Sequence, residues 1–96
     1  MPAATPEQQC KLRVAARALA RGQLVQAYGH CSLRLSNDEL LVCAPRPMGS
    51  IAPGEDGTVV PVRGALPEGV LGEVRIHQQI YARRPDVNAL CRIMPP

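Results

Sequence analysis

Pro85 divides the last quarter of the chain into two elements. Its ring excludes helical geometry from Arg84, so the helical pattern that runs from about Leu71 to Arg83 has to stop there. Beyond the break, Ala89-Leu90-Cys91-Arg92-Ile93-Met94 reads as a buried strand. In the helical part, Glu73, His77 and Tyr81 recur at every fourth position, which stacks their side chains on one face. Ile80 belongs to that face and Val74 borders it. An acid and an imidazole on the half-apolar side of a helix, aimed at a strand, are the one feature that admits chemistry as well as architecture.

The rest of the chain supplies layers for this pair to join. Thr5-Pro6-Glu7-Gln8 opens a helix, with Thr5 as N-cap, Pro6 where its missing N–H costs nothing and Gln8 completing a capping box. Leu12, Ala15, Ala16 and Leu19 form its buried stripe, and Gly22 ends it after Arg21. Arg13, Arg17 and Arg21 make a basic row expected to be a solvated face. Cys31-Ser32-Leu33-Arg34-Leu35 alternates as a half-buried strand. A turn at 36–39 then returns the chain as Leu40-Leu41-Val42-Cys43-Ala44, apolar on both faces. The run from Pro45 to Gly54 holds too many helix and ladder breakers for a regular element, and is expected to be a surface crossing or a lip over a pocket. Thr58-Val59-Val60-Pro61-Val62 reads as an edge strand, because Pro61 removes a ladder donor.

Helix, hairpin, strand, helix, strand predicts an α/β layered fold with a largely antiparallel sheet. A buried last strand would be a central one, and a central strand at the chain terminus suggests a domain cut short. At 96 residues there is one domain at most. With no Trp, no Phe and only Tyr28 and Tyr81, its core must be aliphatic. Stacking on nucleobases is therefore scarcely available, and the 11 basic residues are scattered, so a nucleic-acid partner is not expected. No apolar run is long enough to span a membrane. Cys10, Cys31, Cys43 and Cys91 show no C-x-x-C pairing and no signal-like segment precedes them, which points to reduced thiols and a cytoplasmic protein.

Glu73 followed by Arg75-Ile76-His77, Ile80-Tyr81, Arg84-Pro85-Asp86-Val87-Asn88-Ala89 and the closing Pro95-Pro96 resembles the core segment of the class II aldolase/adducin family. The Tyr28-Gly29-His30-Cys31-Ser32-Leu33-Arg34 run agrees with it. The resemblance implies a class II aldolase-like layered fold, present as a partial domain over residues 1–96. It also implies a lyase chemistry with Glu73 as acid/base, unless Glu73 merely complements the helix dipole. Gly29, His30 and Ser32 stand where family members hold substrate. The family's Thr-Pro-x-Gly loop is Ala44-Pro45-Arg46-Pro47 here and its Ser-Ser is Leu71-Gly72. Phosphate contacts are thereby lost, while Arg46 could pair with a carboxylate.

Family members bind a divalent metal, zinc, through His-x-His on the last strand and a third histidine further on. In this chain those two positions are Arg92 and Met94, so the resemblance implies no metal site within it. Arg92 points where the metal would lie. It either holds a substrate carboxylate or enolate, or pairs with Glu73 and closes the site. His77 is expected to be a hydrogen-bonded packing residue, and Tyr81 a core residue with its hydroxyl at the rim. The resulting reading is an aldolase-like lyase relative, impaired or incomplete, acting on a small non-phosphorylated carbonyl or carboxylate compound. The alternatives are a non-catalytic, adducin-head-like binding or assembly module and a truncated gene product. The resemblance also implies a homo-oligomer.

Overall fold

The computed structural model describes residues 4–22, 29–44, 48–51, 55–70 and 72–93. It contains helix α1 (Pro6–Arg21), strands β1 (His30–Arg34) and β2 (Glu39–Val42), a short 3-10 turn (Met48–Ser50), strand β3 (Thr58–Pro61), helix α2 (Val74–Arg83) and strand β4 (Ala89–Arg92). The strands form one antiparallel sheet in the order β3-β2-β1-β4. No helix among the described residues is long and apolar enough to cross a membrane.

The two helices cover opposite faces. Cys31, Leu41 and Cys43 point to the side where Leu12 and Ala16 of α1 meet Met48 and Ile51. Leu40, Val42, Val60 and Val62 point to the side where Val74 and Tyr81 of α2 pack. Each buried Leu or Val stabilises the fold by about 1.5–3 kcal/mol relative to exposure. Since β1 is covered on both sides, His30, Cys31 and Ser32 are all buried, where sequence alternation predicts a half-buried strand. Met48 and Ile51, in the breaker-rich segment expected to be a surface crossing or a lip, instead fill the core beneath α1.

The N-terminal capping box forms as its residue types dictate: Gln8 N–H donates to Thr5 Oγ1 at 3.1 Å and Thr5 N–H to Gln8 Oε1 at 2.9 Å. In the basic row on α1, Arg13 is tied to Asp56 at 3.0 Å. Helix α2 begins at Val74, with Glu73 as its N-cap residue, later than the predicted start at Leu71, which lies outside the described residues. The last strand differs most from expectation. Among the described residues β4 pairs only with β1 and stands at the edge of the sheet, with Ala89 and Cys91 exposed, so it is neither central nor buried on both faces. Just before β3, Gly57 lies against β2: a Cβ there would meet the Val42 carbonyl oxygen, with the Leu12 side chain 3.1 Å away.

Candidate active site

On the α2 side of the sheet, β1 presents His30, Ser32 and Arg34, alternate residues of a pleated strand. Facing them are Glu73, His77 and Tyr81, spaced by four. Two strand residues advance about 6.7 Å and four helical residues about 6 Å, so a strand and a helix running in the same direction stay in step for this length. The consequence is a ladder of polar contacts. Ser32 Oγ lies 2.6 Å from His77 Nδ1 and 2.9 Å from the Tyr81 hydroxyl. Arg34 reaches past the end of α2, donating to the carbonyls of Val87, Tyr81 and Arg84 at 2.8, 2.9 and 3.0 Å, with its guanidinium 4.8 Å from the Tyr81 ring centre.

Two rungs of this ladder are interior. Tyr81 is only 1% exposed and its hydroxyl is enclosed beside Ser32, not at a rim. His77 is buried and hydrogen-bonded, as its helical position predicts. Burial first, then His30 and Arg92, lower its pKa to about 4, so the ring is neutral near neutral pH. Burial likewise raises the Tyr81 pKa, against the opposing effect of the Ser32 bond. With Tyr81 donating to Ser32 and Ser32 donating to His77 Nδ1, all three groups are hydrogen-bonded.

The remaining rung opens to solvent. Arg92 is the cross-strand partner of His30. Its Nη1 donates to Glu73 Oε2 at 3.1 Å, and the same carboxylate oxygen is 3.8 Å from His30 Nδ1. Glu73 and Arg92 are partly exposed, at 49% and 35%, whereas His30 is buried behind them. His30 Nδ1 has no hydrogen-bond partner among the described residues. Its ring stands edge-on to His77, with centroids 6.2 Å apart. Burial lowers the His30 pKa; Glu73 opposes that shift and Arg92 adds to it. Gly29, at φ +142°, makes the turn into β1 that only glycine adopts readily and thereby sets where His30 enters the sheet.

Of the residues selected from sequence, His30, Glu73 and Arg92 come together, and Gly29 adjoins them. Ser32 lies deeper, its hydroxyl held by His77 and Tyr81. Arg46 and Met94 lie outside the described residues. Arg34 acquires a role that spacing alone did not assign. The available signal was its place two residues beyond Ser32, on the face that must meet the helix end.

The donor set does not fit a zinc ion. One buried imidazole nitrogen and one carboxylate face each other, but the carboxylate is already bonded to a guanidinium, whose positive charge opposes a second cation. Among the described residues no group of three His, Cys, Asp or Glu side chains is arranged to hold a metal.

The family model described as the class II aldolase and adducin N-terminal domain matches residues 10–95. The chain belongs to this family. Two solved aldolases show the same fold. L-fuculose-1-phosphate aldolase from Thermus thermophilus superposes with a TM-score of 0.76 at 26% identity, over 93% of this chain and 45% of that one. L-fuculose 1-phosphate aldolase from Glaciozyma antarctica gives a TM-score of 0.70 at 22% identity, over 96% of this chain and 43% of that one. The chain thus spans less than half the length of either enzyme. No curated protein matches it. Membership makes it an aldolase-like relative of lyases, with the Glu73, His30 and Arg92 corner at the head of α2.

Proposed function

We propose that this chain is part of an aldolase-type domain that binds a small, non-phosphorylated hydroxy-carbonyl or carboxylate compound at the Glu73, His30 and Arg92 corner and moves a proton beside its carbonyl. The observation that carries this reading is the contact of 3.1 Å between Arg92 and Glu73. It leaves a fixed positive charge and a carboxylate side by side at a partly exposed surface, with a buried, unpartnered imidazole nitrogen behind them among the described residues.

A ligand carbonyl oxygen that takes the place of Glu73 on the Arg92 guanidinium frees the carboxylate to accept the proton from the neighbouring carbon. Negative charge then develops on the ligand oxygen already facing Arg92. Cleavage of the Cα–Cβ bond of an aldol leaves the same enolate: Glu73 takes the β-hydroxyl proton as that carbon becomes the carbonyl of the departing aldehyde or ketone, and returns it to the α-carbon. In decarboxylation the α-carboxylate leaves as carbon dioxide and the proton reaches the α-carbon from water through Glu73. Because the resting carboxylate is engaged by Arg92, turnover is slow. Replacement of Thr-Pro-x-Gly and Ser-Ser by Ala44-Pro45-Arg46-Pro47 and Leu71-Gly72 supports a ligand without phosphate. Four free thiols support a cytoplasmic setting. The exposed Val14, Ile76 and Ile93 supply apolar surface for self-association into a homo-oligomer.

Titration of the purified chain with glycolate and with phosphoglycolate, followed by the NMR signals of His30 and the Arg92 guanidinium, tests the ligand class. Saturable shifts with glycolate that vanish in Arg92→Ala are expected. Preferential binding of phosphoglycolate would contradict the non-phosphorylated class. The same ion pair favours a second reading, a non-catalytic binding or assembly module whose former site is closed by Arg92; such a module would show no proton transfer at all.

A further inference from the structure

Three of the four cysteines stand side by side across the sheet. Cys91 on β4 is the direct cross-strand partner of Cys31 on β1. Cys43, just past β2, donates its backbone N–H to the Cys31 carbonyl at 3.1 Å. The pleat places these side chains on the α1 face, where the Cys31 thiol lies 3.8 Å from the Leu12 carbonyl oxygen. Cys31 and Cys43 are buried, Cys91 is exposed on the edge strand, and all are free thiols.

Register decides which pair can be joined. Arg34 N–H donates to the Asn88 carbonyl, which makes these two a hydrogen-bonded pair. Bonded and non-bonded pairs alternate along an antiparallel ladder, so Cys31 and Cys91 form a non-hydrogen-bonded pair. Opposing Cα atoms in such pairs are about 4.5 Å apart with side chains at their closest. That spacing lies within the range of about 4.4–6.8 Å that a disulfide bridges without backbone movement. Cys43 is also beside Cys31 but enclosed, so an oxidant meets Cys91 first.

We infer that Cys91 and Cys31 form a thiol–disulfide site, in which a low-molecular-weight disulfide such as oxidised glutathione reacts at the exposed Cys91 and Cys31 resolves the product. In the first step the Cys91 sulfur bonds to one glutathione sulfur. The disulfide of oxidised glutathione breaks, and one glutathione leaves as a thiol with the proton from Cys91. In the second step the Cys31 sulfur attacks the Cys91 sulfur, the mixed disulfide breaks, and the second glutathione leaves with the proton from Cys31. The two protein thiols lose two electrons and oxidised glutathione gains them.

Cys43 adjoins Cys31 through their backbone hydrogen bond. Interaction with the neighbouring Cys43 thiol, then burial, pushes Cys31 up, while the same interaction draws Cys43 down to about 7. Burial raises the Cys91 thiol, and its reaction accelerates with pH accordingly. A Cys31–Cys91 bond ties β4 to β1 one residue from the paired His30 and Arg92, and so fixes the strand that carries Arg92.

The test is native incubation of the purified chain with oxidised glutathione, alkylation of the remaining thiols and non-reducing tryptic mapping. Arg34, Arg63 and Arg83 place Cys31, Cys43 and Cys91 in separate peptides. The expected product is a linked Cys31–Cys91 peptide pair, with a rise in thermal midpoint on the order of 10 °C that dithiothreitol reverses. In Cys91→Ser, a change on the exposed edge strand, the linked pair is lost and Cys31 stays reduced. Glutathione retained on Cys91 with Cys31 still reduced would overturn the inference, as would a Cys31–Cys43 bond that forms equally in Cys91→Ser.

Discussion

Ser32 Oγ lies 2.6 Å from His77 Nδ1, and the same oxygen is 2.9 Å from the Tyr81 hydroxyl. One small hydroxyl on β1 thus serves two polar groups of α2 inside the core. Removing it in Ser32→Ala leaves both buried and unpaired, and the expected loss is roughly 2–4 kcal/mol. Urea denaturation measures it: the midpoint should fall while the slope stays unchanged.

The interior imidazole makes stability depend on pH. His77 titrates at about 4 in the fold against 6.5 for the ordinary group, because burial first, and then His30 and Arg92, disfavour its charged form. As pH falls, the unfolded chain takes up this proton before the folded one does. Stability is therefore fully present above about pH 6.5 and is lost as pH drops toward 4, by about 3 kcal/mol. His30, shifted in the same direction, adds to the decline. Thermal midpoints measured between pH 7 and 4 should fall steeply in the parent chain and less steeply in His77→Gln.

Arg34 closes the C-terminal end of α2 by donating to three carbonyls while lying over the Tyr81 ring. A lysine keeps the charge but not the planar fork, so it cannot reach all three acceptors. Arg34→Lys should cost about 1–3 kcal/mol. Amide exchange should quicken first in the last turn of α2 and in residues 84–88, a local signature that hydrogen-exchange NMR resolves.

Gly57 is required by space. The added methyl of Gly57→Ala would meet the Val42 carbonyl oxygen and crowd Leu12, forcing the start of β3 away from β2. A loss of about 1–3 kcal/mol is expected. Gly69→Ala tests a different constraint, since its neighbourhood is open and only its φ of +86° opposes a side chain. Calorimetry of the two variants should show the larger fall in midpoint for Gly57→Ala.

Much of this arrangement was legible in the residues. The Thr5 and Gln8 box, the hairpin, Pro61 on an edge strand and the stop before Pro85 each follow from local chemistry, and each is present. The spacing of Glu73, His77 and Tyr81 correctly indicated a face turned toward a strand. What the pattern could not show was which strand, and in what step. Ser32 reads as the polar side of a half-buried strand until a second helix covers it. Likewise Ala89-Leu90-Cys91-Arg92 reads as interior from its apolar content, because strand order depends on long-range pairing that local composition does not encode. For Arg92, sequence left open a contact to ligand or to Glu73; the structure shows the contact to Glu73.

The most direct test of the proton-handling role given to Glu73 is solvent deuterium incorporation at the hydroxymethyl carbons of dihydroxyacetone, followed by NMR in the presence of the purified chain. Incorporation above the buffer rate is predicted, falling by on the order of 10²-fold or to background in Glu73→Gln, while that variant stays folded. A folded parent chain that exchanges no faster than buffer, or a Glu73→Gln variant that exchanges as fast as the parent, would contradict the account and leave a binding or assembly module.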